Sequence, residues 1–580
     1  MILLATLAAA AINVAQLGAR PSDQKIAIIA DSTPTPIDWS VTDARGQIVL
    51  RGRTAVVGDD AASGDHVHVA DFSALRQSGQ YRIKAGGLAS GQFRVAERVF
   101  APLGRAALNF FYQQRAGTPI DARWSGAQWA RAAGHPDERA TCFAGVDEKG
   151  NRWPGCDYTL DVTGGWYDAG DHGKYVVNAG IAVWTLQNLY ETAIARRLFA
   201  DGQASLPEAG NGIDDLLDEA RWEVEWMLRM QLPAGTRLAL PVGAQDMEGR
   251  LTLTTVDAGG MVHHKVADRN WTKLPTVPAE DRETRLLYPP STAATLNLAA
   301  VAAQAARLWR TIDPAFAARC RDAARRAWDA AQRNPAILAP QTFTGSGGYG
   351  DAALADERGW AAAELFATTG DARYRAMLPT GDVDAPNWGD VGTLGTITLA
   401  TAATVPGDIR RSARASIVAA ADRFLGERAR SGYRLPYAST RYEWGSSSVV
   451  LNRGMILGLA ERFTGDRRYR YGAVDAMDYI LGRNPLGQSY VSGMGWKSLR
   501  NPHHRFWAHQ LDASLPGPPP GALSGGPNNT AMADPIARRL RGTCAPQRCW
   551  VNDANAYALN EVAINWNAPL VWVAAYLDAD

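Results

Sequence analysis

Two carboxylates three residues apart, Asp168 and Asp171, stand in the stretch Asp161-Val-Thr-Gly-Gly-Trp-Tyr-Asp-Ala-Gly-Asp-His-Gly-Lys-Tyr-Val176. Neighbouring acids can hold a water and take its proton. Glycines let backbone and ligand approach closely, and the flanking Trp166, Tyr167 and Tyr175 offer faces that stack on sugar rings. The same spacing also serves as an N-cap with a dipole-favoured acid, or as a calcium loop. A third acid, Glu561, lies between Asn560 and the apolar Val562-Ala-Ile564 at the mouth of the last helical segment. A carboxyl with an apolar flank has its pKa raised and can serve as a general acid, although a helix-start glutamate needs no such role. Asn501-Pro-His-His-Arg505 is cationic and rich in donors, better suited to sugar hydroxyls than to a metal because adjacent histidines diverge. Trp444, in Tyr442-Glu-Trp-Gly-Ser446, is a stacking platform or a packed loop anchor.

Two kinds of scaffold must position these groups. Residues 12 to about 97 carry short strand candidates, Lys25–Ala30, Ile37–Thr42, Gln47–Leu50, His66–Val69, Gln80–Ile83 and Gln92–Val95, separated by turn residues. Their spacing predicts a small β-sandwich whose task is to pack on its neighbour. From Ala101 the apolar period changes to three and four, predicting helices over Leu103–Gln114, Tyr175–Tyr190, Ile213–Met230, Thr292–Leu308, Ala315–Asn334 and Ala353–Thr368. Further helices are expected over Ile409–Ala429, Ser447–Phe463, Tyr469–Leu481 and Glu561–Leu577. The long stretches 116–165, 231–291 and 483–560 then read as functional surface, with helix pairs arranged in a ring or another α-solenoid.

Composition narrows the function. The 580 residues exceed a single ordinary domain. Sixty Lys+Arg against 59 Asp+Glu leave a net charge of +1, which recommends neither nucleic acid nor an anionic membrane as partner. Nineteen tryptophans are many for this length; core packing claims most of them, and a surplus outside helical periodicity suits a carbohydrate groove. Met1–Ala11 is an apolar run too short to span a bilayer, read as the tail of a secretory signal, so the expected location is secreted or periplasmic. No other segment reads as a membrane span. Five cysteines are too few for a disulfide scaffold; Cys544 and Cys549 read as a disulfide or two free thiols, and Cys320 as core.

Asp161–Tyr175, Gly482-Arg-Asn-Pro-Leu-Gly487 with Asn501–Arg505, and Asn560–Leu570 together resemble glycoside hydrolase family 9, the cellulase family. Ile12-Asn-Val-Ala-Gln16 with Pro21 and Lys25 resembles the opening of the immunoglobulin-like domain carried by one subgroup, and Ser291–Thr295 and Asp356–Leu365 add further matches. The resemblance runs essentially the whole chain in order. It implies a multidomain protein: an all-β immunoglobulin-like sandwich over 12–97, then an all-α (α/α)6 barrel catalytic domain over 98–580. It also implies roles: Asp171 as general base, Asp168 holding the attacking water, and Glu561 as general acid, with inversion at the anomeric centre. His503 and Arg505 match positions that grip the sugar near the cleavage point, and Tyr557 matches a tyrosine lining the same place.

Two structural metals follow from the same likeness. Related enzymes carry zinc on cysteine and histidine ahead of the catalytic turn, and here His135, Cys142, Cys156 and Asp157 are the available donors. Asp157 stands where histidine is expected; zinc accepts it, and zinc is the preferred reading over the rival Cys142–Cys156 disulfide. Asp356 and Glu357 match a calcium-binding Asp-Glu pair, with Asp390 a distant third carboxylate and helix capping the plainer alternative. No catalytic cofactor is expected.

The expected activity is endo-β-1,4-glucanase on cellulose-like chains by a monomer. The runner-up is an exo-acting β-glucosidase or exo-β-glucosaminidase on short oligosaccharides, depending on whether a loop such as that bearing Gly259-Gly-Met-Val-His-His-Lys265 walls off one end of the groove. A non-catalytic glycan binder is disfavoured by the three carboxylates, and a uronate lyase by their repulsion of an acidic substrate.

Overall fold

The computed structural model describes residues 11–194 and 196–579; residues 1–10 of the apolar leader run lie outside the described residues. The N-terminal part is a sandwich of two antiparallel sheets. Its strands are β1 (Ala11–Asn13), β2 (Ile26–Ala30), β3 (Asp38–Asp43), β4 (Ile48–Arg53), β5 (Ala55–Asp60), β6 (Asp65–Asp71), β7 (Gly79–Ala85), β8 (Leu88–Ala89) and β9 (Phe93–Val95). One sheet runs β1-β2-β6-β5 and the other β4-β3-β7-β8, with β9 also paired to β7. Trp39, Val41, Tyr81, Ile83 and Phe93 fill the space between the sheets.

β2 is buried on both faces because it serves two cores. Ala27 and Ile29 point into the sandwich, while Ile26 and Ile28 pack with the helical domain, as do Val67 and Val69 of β6. A period of two thus sorts one strand between two neighbours. Polar contacts fix the same seam: Asp65 pairs with Arg548 at 2.7 Å and accepts from the Tyr433 hydroxyl at 2.7 Å, and Asp23 pairs with Arg470 at 2.7 Å. The expected packing role of the sandwich has this physical form.

The remainder is an (α/α)6 barrel. Val176–Glu191, Thr292–Leu308, Ala355–Thr369, Gly392–Thr401, Ser446–Thr464 and Ile564–Asp578 are buried almost all round and form the inner ring. Ala101–Gln114, Asp215–Arg229, Pro314–Arg333, Gly407–Arg430, Arg467–Ile480 and the short 3-10 segment Ala372–Met377 occupy the outer positions. Amphipathic outer helices bury one stripe, and inner helices need an apolar or small side chain at every angle. Among the described residues no helix is long and apolar enough to cross a membrane.

Three expectations are corrected. Gly392–Thr401 is a helix that periodicity does not reveal: Thr, Leu and Gly dominate it and nearly every side chain is buried, leaving no polar face. Glu561 does not start the last helix; it follows the short helix Tyr557–Asn560 in extended conformation, and the last helix begins at Ile564. The long inter-helix stretches are not plain loops either. Leu160–Asp161, Arg139–Cys142, Arg285–Leu287, Lys265–Asp268 and Lys174–Tyr175 join in that order as a five-stranded sheet next to the turn that carries Asp168 and Asp171.

Candidate active site

The turn that carries Asp168 and Asp171 is held from every side by backbone bonds. Asp168 N–H donates to Gly173 O at 2.9 Å, Ile564 N–H donates to Asp168 O at 2.9 Å, and the Gln114 amide donates to Tyr167 O and Ala169 O. At Gly170 a side chain is excluded: a Cβ there would stand 2.3 Å from His503 O. That close approach lets the Asn501–Arg505 segment lie against the turn, with Arg505 N–H donating to Gly170 O at 3.0 Å. Glu561 arrives on the far side of the same segment, where His503 and Glu561 form a bridge and His503 N–H donates to Asn560 O. Residues near both ends of the barrel sequence are thereby brought to one place.

The carboxylates differ in surroundings. Asp168 is buried, and its oxygens accept from the Asn178 amide at 2.9 and 3.0 Å and from the Tyr349 hydroxyl at 2.8 Å. Burial, then the neighbouring Asp171 charge, pushes its pKa up to about 7, against these hydrogen bonds. Asp171 Oδ2 accepts from the Tyr175 hydroxyl at 2.7 Å, while that hydroxyl accepts from Gly347 N–H at 2.9 Å. With one proton to give and its lone pair occupied by Gly347, Tyr175 must aim at Asp171. Burial holds Glu561 well above the usual carboxylate range, and the charges of Asp171 and Asp168 add to that shift. Burial thus favours the protonated form of Glu561, while two further carboxylates stand close by.

The four candidate sugar contacts separate into two groups. Trp444, Tyr557 and His503 form a row, with ring centroids 5.6 Å apart at each step, leading to Glu561. His503 Nδ1 donates to Ala554 O at 2.7 Å, so its Nε2 carries a lone pair, and burial lowers the ring pKa to about 4. Arg505 instead spends three N–H groups on the carbonyls of Gly170 and Thr272, which makes it first a brace of the Asp168–Asp171 turn. Two of its five donors remain for a ligand.

Sequence reasoning missed Tyr349, Asn178, Trp388 and Trp271. Tyr349 stacks edge-on with Tyr175 at 4.8 Å and with Trp388 at 5.1 Å, a second aromatic row beside the carboxylates. Exposed Trp271 lies 5.8 Å from the Arg505 guanidinium. The available signal was the glycine-rich run Gly345-Ser-Gly-Gly-Tyr-Gly350 just ahead of Asp356-Glu357. The segment Gly259–Lys265 is no exposed wall. His264 and Lys265 are buried and donate to Gly348 O and Gly347 O, fastening that glycine-rich run beside Asp168 and Tyr175.

The zinc set is not assembled. Cys142 and Cys156 are joined in a disulfide, so neither is a thiolate, and Asp157 is exposed. His135 turns to Tyr167 instead, its Nδ1 2.7 Å from that hydroxyl. Cys544 and Cys549 form a second disulfide, and Cys320 is buried and free. The calcium expectation needs one substitution of ligand. Asp351, Asp356 and Glu357 bring one carboxylate oxygen each within 4.8 Å of one another, whereas Asp390 is exposed and stands outside this group. Asp351 Oδ2, Asp356 Oδ1 and both Glu357 oxygens are buried without a hydrogen-bond partner. Burial and the two aspartate charges push Glu357 up to about 10. Hard, converging, unpaired oxygens fit calcium.

Comparisons agree with the geometry. Residues 100–574 match the family model for glycosyl hydrolase family 9, and residues 8–90 match the cellulase N-terminal ig-like domain. The chain is 40% identical to a cellulose 1,4-beta-cellobiosidase of Acetivibrio thermocellus, over 98% of this chain and 67% of that protein. It is 42% identical to endoglucanase C of Cellulomonas fimi, over 98% of this chain but only 52% of that longer protein. A solved metagenome-derived family 9 endoglucanase superposes with a TM-score of 0.83 at 33% identity, covering 99% of this chain and all of that one.

Proposed function

Because the chain belongs to glycosyl hydrolase family 9, and is therefore a glycoside hydrolase, we propose that it cleaves β-1,4-glucosidic bonds in cellulose-like glucans, inside the chain and with inversion. The carrying observation is the convergence of Asp168, Asp171 and Glu561, with burial holding Glu561 well above the usual carboxylate range. Asp171 removes a proton from a water that Asp168 helps to hold, and the water oxygen attacks the anomeric carbon. Glu561 gives its proton to the departing glycosidic oxygen as the C–O bond breaks. Inversion needs room for that water, with acid and base about 6.5–9.5 Å apart. Trp444, Tyr557 and His503 supply stacking and acceptor contacts along one side.

Calcium at Asp351, Asp356 and Glu357 would be structural, tying the glycine-rich run to the start of helix Ala355–Thr369; when bound it supplies charge neutralisation. Two disulfides suit a secreted or periplasmic setting. An exo-acting reading is kept by one observation: a relative at 40% identity is a cellobiosidase. Product analysis on cellohexaose and carboxymethyl-cellulose tests both. Mixed short products with a fast viscosity drop support the endo reading; stepwise release of one small sugar with little viscosity change replaces it.

A further inference from the structure

Seven residues before the disulfide-bonded Cys142, the chain buries a histidine with one ring nitrogen left unpaired. His135 has a left-handed backbone (φ 53°) between Gly134 and Pro136, a conformation that a non-glycine residue rarely adopts. Its Nδ1 is paired with the Tyr167 hydroxyl, and its Nε2 is buried with no partner. The side chain is only 8% exposed, and Nε2 faces Asp281 Oδ2 at 3.8 Å, beyond hydrogen-bond reach. Asp268 stands opposite, so that one donor atom each from His135, Asp268 and Asp281 lies within 4.8 Å of the others.

The two aspartates are themselves incompletely satisfied. The Thr272 hydroxyl is placed to donate to Asp268 Oδ2 and, at 3.2 Å, to Asp281 Oδ2, but it has one proton for two acceptors. Asp281 also accepts from His172 Nδ1 at 2.6 Å and Glu283 N–H at 3.0 Å, and Asp268 accepts from Arg285 at 2.7 Å. Each carboxylate keeps lone pairs beyond these bonds. Charge permits one more cation: Asp268, Asp281 and Glu138 carry three negative charges against those of Arg285 and Lys174.

We propose that His135, Asp268 and Asp281 form a binding site for a divalent transition-metal ion of the zinc class. One imidazole with two carboxylates is a nitrogen–oxygen donor set that zinc accepts, and the Thr272 oxygen or water completes four-coordination. The ion bridges Lys265–Asp268 of the small sheet to the 269–283 segment. Through the Asp281–His172 bond it steadies the residue that follows Asp171. This site is separate from the Asp351 cluster and from the cysteines, so it stands or falls independently of the hydrolase reading.

The test is zinc titration of the full chain with calcium in excess, to fill the Asp351 cluster, followed by dialysis, metal counting and X-ray absorption at the zinc edge. The expected result is one retained zinc per chain with a first shell of nitrogen and oxygen only, bound at least tenfold more weakly by His135→Ala. No retained zinc, a sulfur in the first shell, or equal retention by His135→Ala overturns the proposal. Should His135→Ala fail to fold by circular dichroism, the wild-type absorption spectrum and zinc retention by Asp268→Asn decide in the same way.

Discussion

The Tyr349 hydroxyl donates to Asp168 Oδ2 across 2.8 Å from a backbone held at φ 51°, in the left-handed region that tyrosine rarely adopts. That conformation costs about 1–2 kcal/mol and is sustained by His264 and Lys265, which grip the carbonyls of the two preceding residues, Gly348 and Gly347. The bond stabilises ionised Asp168, whose pKa burial and Asp171 have already raised to about 7. Tyr349→Phe removes the donor, so the pKa rises further, and the acid limb of the kcat/KM profile moves to higher pH. An unchanged acid limb would separate Tyr349 from the ionisation that matters.

Tyr175→Phe removes the donor on Asp171 Oδ2 and leaves Gly347 N–H without its acceptor. Positioned acid–base groups contribute about 10²–10⁴-fold, and loosening one costs part of that. The expected outcome is a fall in kcat of about tenfold or more with KM little altered. A change confined to KM would make Tyr175 a sugar contact.

Calcium removal should uncover the repulsion among Asp351, Asp356 and Glu357. A site filled at 100 times its Kd is worth about 2.7 kcal/mol. EGTA is expected to lower the thermal midpoint, calcium to restore it, and Asp356→Ala to abolish the dependence. Equal midpoints with and without EGTA would leave the three acids a metal-free cluster.

The seam between domains gives a fourth expectation. Deleting residues 12–97 exposes the partners of Ile26, Ile28, Val67 and Val69 and strands Arg548 and Arg470. Lower thermal stability and aggregation should follow. Full stability and solubility of the truncated chain would show that the sandwich is dispensable.

Much of this was legible in residue order. Amphipathic outer helices announce themselves through their stripe, and the Asp161–Tyr175 stretch through its glycines and acids. The inner helix Gly392–Thr401 was not, since complete burial erases the stripe that reveals a helix. Tyr349 was hidden for another reason: its role depends on a loop conformation set by His264 and Lys265, more than 80 residues earlier in the chain. The cysteine pair misled because spacing alone does not distinguish a thiolate pair from a disulfide; the Cys142–Cys156 bond does. Asp351 escaped notice because an intervening turn, not helical register, brings it to Asp356 and Glu357.

The most direct test of the central claim is the anomeric configuration of the new reducing end, followed by NMR during cellohexaose hydrolysis by wild type and Glu561→Gln. The account predicts an α-anomer released first by wild type, and loss of nearly all turnover in Glu561→Gln with cello-oligosaccharide binding retained. A β-anomer, or near-normal turnover in Glu561→Gln, would contradict it.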